Sequence, residues 1–473
     1  MGKPLEILED TVLRQGLCVG CGACAVVEPD RYSVAMNPAG QLQAVSLKPE
    51  SVATSNSATK VCPFSDAALN EDELGRGNFD SDLVSDDQLG AFFSCYAGFV
   101  REGEYRERGS SGGIAKWLLS KLLQDGIVDY VIQVASGVGL PGTKFKYAIF
   151  NKSDDVISGS RSAYHPVDMS SVLNFVESNP GRYAITGVPC FVKAVRLLQR
   201  QKPVFAERIV VAVGIVCGHL KSTHYADMLA WQLGVSPGQL KSIDFRAKFP
   251  GRSAKEKGVV VESVTGQKQQ AVVQELFGAN YNDGLFQYRA CDYCDDVVAE
   301  LADVSIGDAW LPKYIKDGRG TSLVISRNAR IQRLFDDAQK DGSLHLEKIT
   351  TEDAVASQIG GFRQRREGLA YRLYLADRGG EWRPQKRVKA GWKQLTRRRR
   401  SIYRMRQKLS ERSHVLFQAA LASGDWEAFQ VPMQRMISEY GALYRIGFWG
   451  RVKKGLARRV ARLRRWWGGL VKE

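Results

Sequence analysis

Nine cysteines are the residues of this 473-residue chain best suited to chemistry, and their spacing says more than their number. Cys18, Cys21 and Cys24 form C-x-x-C-x-x-C, with Gly20 and Gly22 between them. Thiolates at that spacing wrap one face of an iron–sulfur cubane, and the glycines let the backbone turn tightly and offer N–H groups to sulfide. The fourth thiolate comes from a distance, in Cys62-Pro63. In the compact ferredoxin run the last cysteine follows after three residues and serves the other cluster. Zinc knots instead favour two C-x-x-C pairs. Cys190, Cys217 and the pair Cys291/Cys294 make a looser set, the first two at the rim of an expected sheet. Spacing alone leaves a second cluster, a zinc site and inert core thiols all open for that set. Cys95 reads as a packed core thiol, and His219 and His224 as hydrogen-bonding neighbours of ligands.

Arg108-Gly109-Ser110-Ser111-Gly112-Gly113 precedes a strongly helical stretch. Small residues at a helix start let backbone N–H groups approach an anion, though this is not a G-x-G-x-x-G fingerprint. A chain with clusters needs a converter between one- and two-electron steps, and a flavin is the usual one. No Ser-His-Asp order, H-E-x-x-H or Walker motif suggests hydrolase or nucleotidase chemistry.

The elements that must position these residues predict an α/β (α+β) fold. Residues 1–75 form a cysteine-bearing unit, and residues 72–90, acidic and rich in Gly, Asp and Ser, read as a linker. From 91 to 350, helix-period and strand-like runs alternate: helical 113–124, 190–199 and 223–233, strand-like 127–135, 182–186 and 208–217. Residues 242–274 look richer in strand. The N-terminus lacks an apolar signal core, and no run reaches the roughly 18 apolar residues that span a bilayer. A cytoplasmic protein is expected, in which cysteines stay reduced.

The net charge of +16 is local. Residues 381–473 hold 24 Lys and Arg against six Asp and Glu, so the first 380 residues are close to neutral. This third segment reads as a basic helical tail. Near its end Trp449, Val452, Leu456, Val460, Leu463, Trp467 and Leu470 recur at helical steps among arginines, the pattern of an interfacial helix on anionic lipid. Residues 445–470 are thus expected on the inner face of a membrane or on an acidic partner. Nothing in the body offers nucleic-acid base readout.

Several phrases taken together resemble the family of the β subunit of the deazaflavin-coenzyme-reducing hydrogenase and its dehydrogenase relatives. They are Cys18 to Cys24 with Cys62-Pro63, Gly109-Ser110-Ser111-Gly112-Gly113, Ser160-Arg161-Ser162-Ala163-Tyr164, Gly187-Val188-Pro189-Cys190 and Gly214-Ile215-Val216-Cys217-Gly218. Phe245-Arg246-Ala247-Lys248, Cys291-Asp292-Tyr293-Cys294, Ala302 to Asp308 and Gly320-Thr321-Ser322 follow in the same order, over about residues 15–330. The chain departs from the family pattern at Phe249-Pro250-Gly251-Arg252, where many members carry a Gly-Trp ending.

The resemblance implies a mixed α/β flavin-binding core, a 4Fe-4S cluster on Cys190, Cys217, Cys291 and Cys294, and a ferredoxin-like N-terminal unit carrying another. It also implies FAD near Gly109, Ser110, Ser111, Gly112, Gly113, Arg161 and Tyr164, with Lys248 and Thr321 as weaker carry-overs. The expected function is transfer of single electrons between a ferredoxin-like donor, or a redox partner subunit, and FAD. FAD would then reduce a small organic acceptor, deazaflavin-like or tetrapyrrole-like. Tyr164 and His219 are the candidate proton donors. Two other readings remain: an electron-transfer subunit without a substrate of its own, and a zinc-stabilised binding protein.

Overall fold

A computed structural model describes residues 7–48, 55–79 and 83–445. Its centre is an eight-stranded mixed sheet. Four parallel neighbours, Tyr130–Ser136, Tyr183–Gly187, Ile209–Ile215 and Val304–Asp308, form the middle. Phe145–Phe150 pairs antiparallel at one edge; Ser322–Ser326, Ser94–Val100 and Leu344–Ile349 follow antiparallel at the other. Tyr183–Gly187 is buried throughout, as expected of a parallel strand covered on both faces. Helix Ile114–Gln124 buries Trp117, Leu118 and Leu122 on one face of the sheet, and helix Pro189–Gln201, opened by a proline, buries Val192, Val195 and Leu198 on the other. Residues 240–272 form a separate three-stranded antiparallel sheet.

The N-terminal unit is a hairpin, Tyr32–Met36 with Leu42–Ser46, flanked by short helices. The Glu9 carboxylate pins it by accepting from Arg31 at 2.9 Å, the Tyr32 hydroxyl at 2.6 Å and the Ser46 hydroxyl at 2.8 Å. The segment expected to be a linker, residues 72–90, begins inside a helix instead. Asn70 and Glu73 close a reciprocal capping box on helix Glu71–Asn78, which makes an acidic run a stable helix start.

Residues 397–442 are helical and packed into the body. Thr396 caps helix Arg397–Ser423 by accepting from the Arg399 N–H at 3.2 Å, and Gly424 ends it in the left-handed region. Ile402, Leu409 and Phe417, with Phe429 and Met433 of Glu427–Ala442, share one apolar core with Tyr225, Val259 and Phe286. The amphipathic stripe from Trp449 to Leu470 lies outside the described residues. Among the described residues no helix is long and apolar enough to cross a membrane.

Candidate functional site

The fold gathers the cysteines into two sets. Cys18, Cys21, Cys24 and Cys62 line one small apolar cavity together with Leu8, Val19 and Phe64. Gly20 and Gly22 hold the ligand loop at φ +67° and +85°. A Cβ at Gly22 would stand 2.1 Å from the Asp168 Oδ1, and one at Gly20 would stand 2.6 Å from Leu42. The cradle therefore requires glycine at both positions. The Cys18 sulfur accepts from the Gly20 and Ala44 N–H groups at 3.4 and 3.2 Å. Burial, reinforced by Cys18, pushes the Cys62 thiol up to about 12; burial and the other three cysteines likewise push Cys24 well up. Four buried thiols that oppose one another's ionisation are a donor set for a soft, multiply charged centre, which would displace their protons.

The second set lies beyond the carboxyl ends of the parallel strands, where open α/β sheets place ligands. Cys190 stands in the first turn of helix Pro189–Gln201, and Cys217 two residues past strand Ile209–Ile215. Cys291 lies in the 3-10 turn Arg289–Tyr293, with Cys294 just after it. The Leu220 N–H donates to the Cys291 sulfur at 3.2 Å. Burial raises the Cys190 thiol, followed by Cys294, Cys217, Cys291 and then Cys21 of the first set, so the two sets adjoin. The donor chemistry of both sets fits iron–sulfur clusters. Among the described residues no three or more His, Cys, Asp or Glu close around a point that would hold one metal ion. Cys95 is buried in strand Ser94–Val100 among Phe92, Leu323 and Ile325, away from both sets.

The glycine–serine loop, residues 109–113, meets Thr321 and Lys248 directly and Tyr164 through Arg246, while Arg161 reaches the Glu107 carbonyl just before it. The Ser111 hydroxyl donates to the Thr321 carbonyl at 2.8 Å, and the Ser162 N–H donates to the Ser110 Oγ at 2.7 Å. Lys248 donates to the carbonyls of Ser111, at 2.8 Å, and Arg106. Arg161 pairs with Asp244. Arg246, unassigned by the sequence, ties the site together: it donates to the Tyr164 hydroxyl at 3.0 Å, the Ser110 carbonyl at 3.2 Å and the Asp308 carboxylate at 2.8 and 2.9 Å.

Beside the loop's backbone N–H groups stand two lysines. Two loop N–H groups are committed to the fold, Gly109 to the Tyr105 carbonyl at 2.9 Å and Gly112 to the Ser322 Oγ at 3.0 Å. The two lysines are crowded by other cations. Burial, then Lys257, Arg161 and Arg106, brings Lys248 down to about 7, and burial, then Arg246, brings Lys257 to about 8. Cations crowded in this way fit a dianion such as the diphosphate of a dinucleotide.

A ladder of rings joins this loop to the second cysteine set. His219, two residues after Cys217, stacks on Tyr281 with centroids 4.0 Å apart, and Tyr281 meets Tyr164 at 5.0 Å. Burial, then Lys221 and Arg406, drives His219 far below the ordinary imidazole range, so its ring is neutral. Sequence reasoning missed Tyr281, Lys257 and Arg365; only Arg246 and Asp308 stood within the family-like phrases.

Residues 95–174 match the family model described as coenzyme F420 hydrogenase/dehydrogenase, beta subunit N-term, and residues 181–352 match the companion model for the C terminus of that beta subunit. The chain is 21% identical to a subunit of the F(420)H(2) dehydrogenase of Methanosarcina mazei, over 66% of this chain and 82% of that one. It is 22% identical to the coenzyme F420-dependent sulfite reductase of Methanocaldococcus jannaschii, over 51% of this chain, and spans 36% of that relative's length. A chain of the F420-reducing NiFe hydrogenase complex from Methanosarcina barkeri superposes with a TM-score of 0.45 at 20% identity, covering 59% of this chain and 93% of that one. The sequence matches define a class of redox enzymes and their subunits. The two family matches cover more than half of the sequence, and the chain belongs to the coenzyme F420 hydrogenase/dehydrogenase β-subunit family.

Proposed function

We propose that the chain is an iron–sulfur flavoprotein oxidoreductase. One four-iron cluster would sit on Cys18, Cys21, Cys24 and Cys62, a second on Cys190, Cys217, Cys291 and Cys294, and FAD over residues 109–113. The observation that carries this reading is convergence. Two all-thiol sets adjoin through Cys21 and Cys190, and the second adjoins the cationic loop through His219, Tyr281 and Tyr164. When bound, the clusters supply one-electron transfer and the flavin supplies exchange between single electrons and a hydride. The protein's own part is to hold these groups dry and in line. Lys248 and Lys257 meet the diphosphate, and Arg246 fixes Tyr164 against the loop. The aromatic ladder keeps water out.

The acceptor is an organic molecule able to take a hydride, with the deazaflavin named for the relatives as first choice, and a ferredoxin-like protein or partner subunit exchanges the single electrons. A second reading, an electron-transfer subunit without its own acceptor, is favoured by one observation. Burial drives the His219 ring toward its neutral form and makes it a poor acid, which leaves Tyr164, whose hydroxyl accepts from Arg246, as the one candidate. The chain reduced under anaerobic conditions and mixed with oxidised 8-hydroxy-5-deazaflavin separates the two. Stoichiometric bleaching supports the enzyme; bound flavin with no transfer supports the electron-transfer subunit.

Residues 445–470 are proposed to rest on anionic lipid. Cosedimentation with phosphatidylglycerol vesicles that persists after their removal would contradict this.

A further inference from the structure

The family match ends at residue 352, yet the next helical segment reaches back to the second cysteine set with three arginines. Helix Ile359–Arg363 runs through a π-helical turn, Gln364–Gly368, into helix Leu369–Gly379. Such a turn adds a residue to the helix and re-aims the side chains it carries, and it is frequent at functional sites. Arg365, Arg366 and Arg372 all point at the backbone that holds the ligands. Arg372 donates to the Asp292 carbonyl at 2.7 Å, and Arg366 to the Asp295 carbonyl at 2.7 Å. Arg365 donates to the Gly218 carbonyl at 2.8 Å and to the Asp296 carbonyl, so one guanidinium spans the Cys217 and Cys294 loops.

Arg365 differs from the other two in what else it faces. It is 2% exposed, and among the described residues no carboxylate takes its charge in an ion pair. Its charge faces Cys294, Cys217 and Cys291, with Asp296 after them, because the carbonyls it bridges follow Cys217 by one residue and Cys294 by two. The opposing carboxylates are engaged elsewhere. Asp295 pairs with Lys386 at 3.6 Å and Arg387 at 3.4 Å, while Asp296 accepts from the N–H groups of Val298 and Glu300, both at 2.9 Å. Among the described residues the first set has no such cation. Its sulfur contacts are neutral N–H groups, and the lysine nearest to Cys62, Lys193, is paired with Glu71 at 3.2 Å.

We infer that Arg365 is a positioning residue that sets the reduction potential of a cluster on Cys190, Cys217, Cys291 and Cys294, holding it above that of the N-terminal cluster. Reduction adds one negative charge to a buried cluster, and a guanidinium fixed on the ligand-bearing loops without an ion-pair partner favours the more negative state. Arginine suits the task because it stays protonated when buried and bridges two carbonyls in one plane. The N-terminal cluster, served by backbone N–H dipoles and by a lysine already neutralised by Glu71, lies lower. Single electrons entering there run downhill to the set beside the flavin loop. This inference rests on the two-cluster reading.

The test is a potentiometric titration of the full chain, followed by electron paramagnetic resonance, in the wild type and in Arg365→Gln, Arg365→Lys and Arg366→Gln. In Arg365→Gln one of two couples falls, by about tenfold or more in reduced-to-oxidised ratio at fixed potential, which is about 59 mV for one electron. The other couple stays in place. Arg365→Lys, which keeps a charge but cannot bridge both carbonyls, falls less, and Arg366→Gln leaves both couples unmoved. Should Arg365→Gln fail to retain iron, the lysine variant decides, since an unshifted couple there overturns the proposal. Iron-replete variants with unmoved couples, or an Arg366→Gln shift as large as that of Arg365→Gln, also overturn it. An iron-free wild-type chain would instead overturn the cluster reading beneath it.

Discussion

Arg246 holds the Asp308 carboxylate at 2.8 and 2.9 Å, with the arginine buried and the carboxylate largely so, while the same guanidinium reaches Tyr164 and Ser110. One strand-end carboxylate of the large sheet thereby fixes an arginine of the small sheet, and that arginine fixes the loop. Removing only the cation leaves a buried charge without a partner. Arg246→Met is expected to cost about 3–5 kcal/mol in urea unfolding. Adding Asp308→Asn should recover part of that stability while leaving flavin retention poor. Equal losses in the single and double variants would show that the pair is not coupled.

Flavin affinity should depend on pH with a defined sign. Lys248 and Lys257 lose their protons near about 7 and about 8 in the unliganded protein, and a diphosphate prefers both charged. Affinity is therefore full below about 7 and falls as pH rises through the two values. Lys248→Met should weaken FAD binding by about 10- to 100-fold, the worth of one charge-assisted hydrogen bond, and remove the lower step. Fluorescence titration of the deflavinated chain measures both effects; a flat profile in the wild type would count against the assignment.

Cysteine replacements should sort by set. Cys291→Ser should lose about four irons per chain and Cys24→Ser the other four. Cys95→Ser should keep them all and cost about 1–3 kcal/mol for burying an unmatched hydroxyl. Iron analysis beside urea midpoints distinguishes these outcomes.

Gly22→Ala tests the ligand loop without touching a ligand. At φ +85° its Cβ would meet the Asp168 carboxylate at 2.1 Å and the Ser170 N–H at 2.9 Å. The loop must move, and the N-terminal cluster should be lost while FAD and the second cluster remain. Full iron content in this variant would show that the cradle tolerates a side chain.

The basic C-terminal helices are predicted to be part of the body's stability. Phe417 is fully buried against Phe286 and Phe429, at 5.3 and 5.1 Å between centroids. Phe417→Ala should destabilise the chain by about 3–5 kcal/mol in a single unfolding transition. An early, separate transition would mark the helices as an independent unit.

What was legible in the sequence was local. The apolar period around Trp117 and Leu118 indicated helix Ile114–Gln124, and the β-branched run at Ile209, Val211 and Val213 indicated a strand. C-x-x-C spacing marked Cys18, Cys21, Cys24, Cys291 and Cys294 as candidate ligands because geometry at one centre constrains short segments. What escaped depended on partners far along the chain. Lys257 matters through its closeness to Lys248 and Arg246, and nothing in Lys255-Glu256-Lys257 announces that. Arg387 read as one more solvated charge in a basic run, yet it bonds Glu300 at 2.8 and 3.0 Å and Asp72 at 2.8 Å, joining three remote segments. Composition records charge but not its burial. The acidic stretch read as a linker became a helix because Asn70 and Glu73 cap each other's backbone, a pattern that was present in the sequence and passed over.

The central claim is that eight of the nine cysteines hold two four-iron clusters beside one flavin. Purification of the full chain without oxygen, followed by measurement of iron, acid-labile sulfide, zinc and released flavin, tests it most directly. The account predicts about eight irons, about eight sulfides and one FAD per chain, with broad visible absorbance that bleaches on reduction. Zinc in place of iron, with no flavin released, would contradict it.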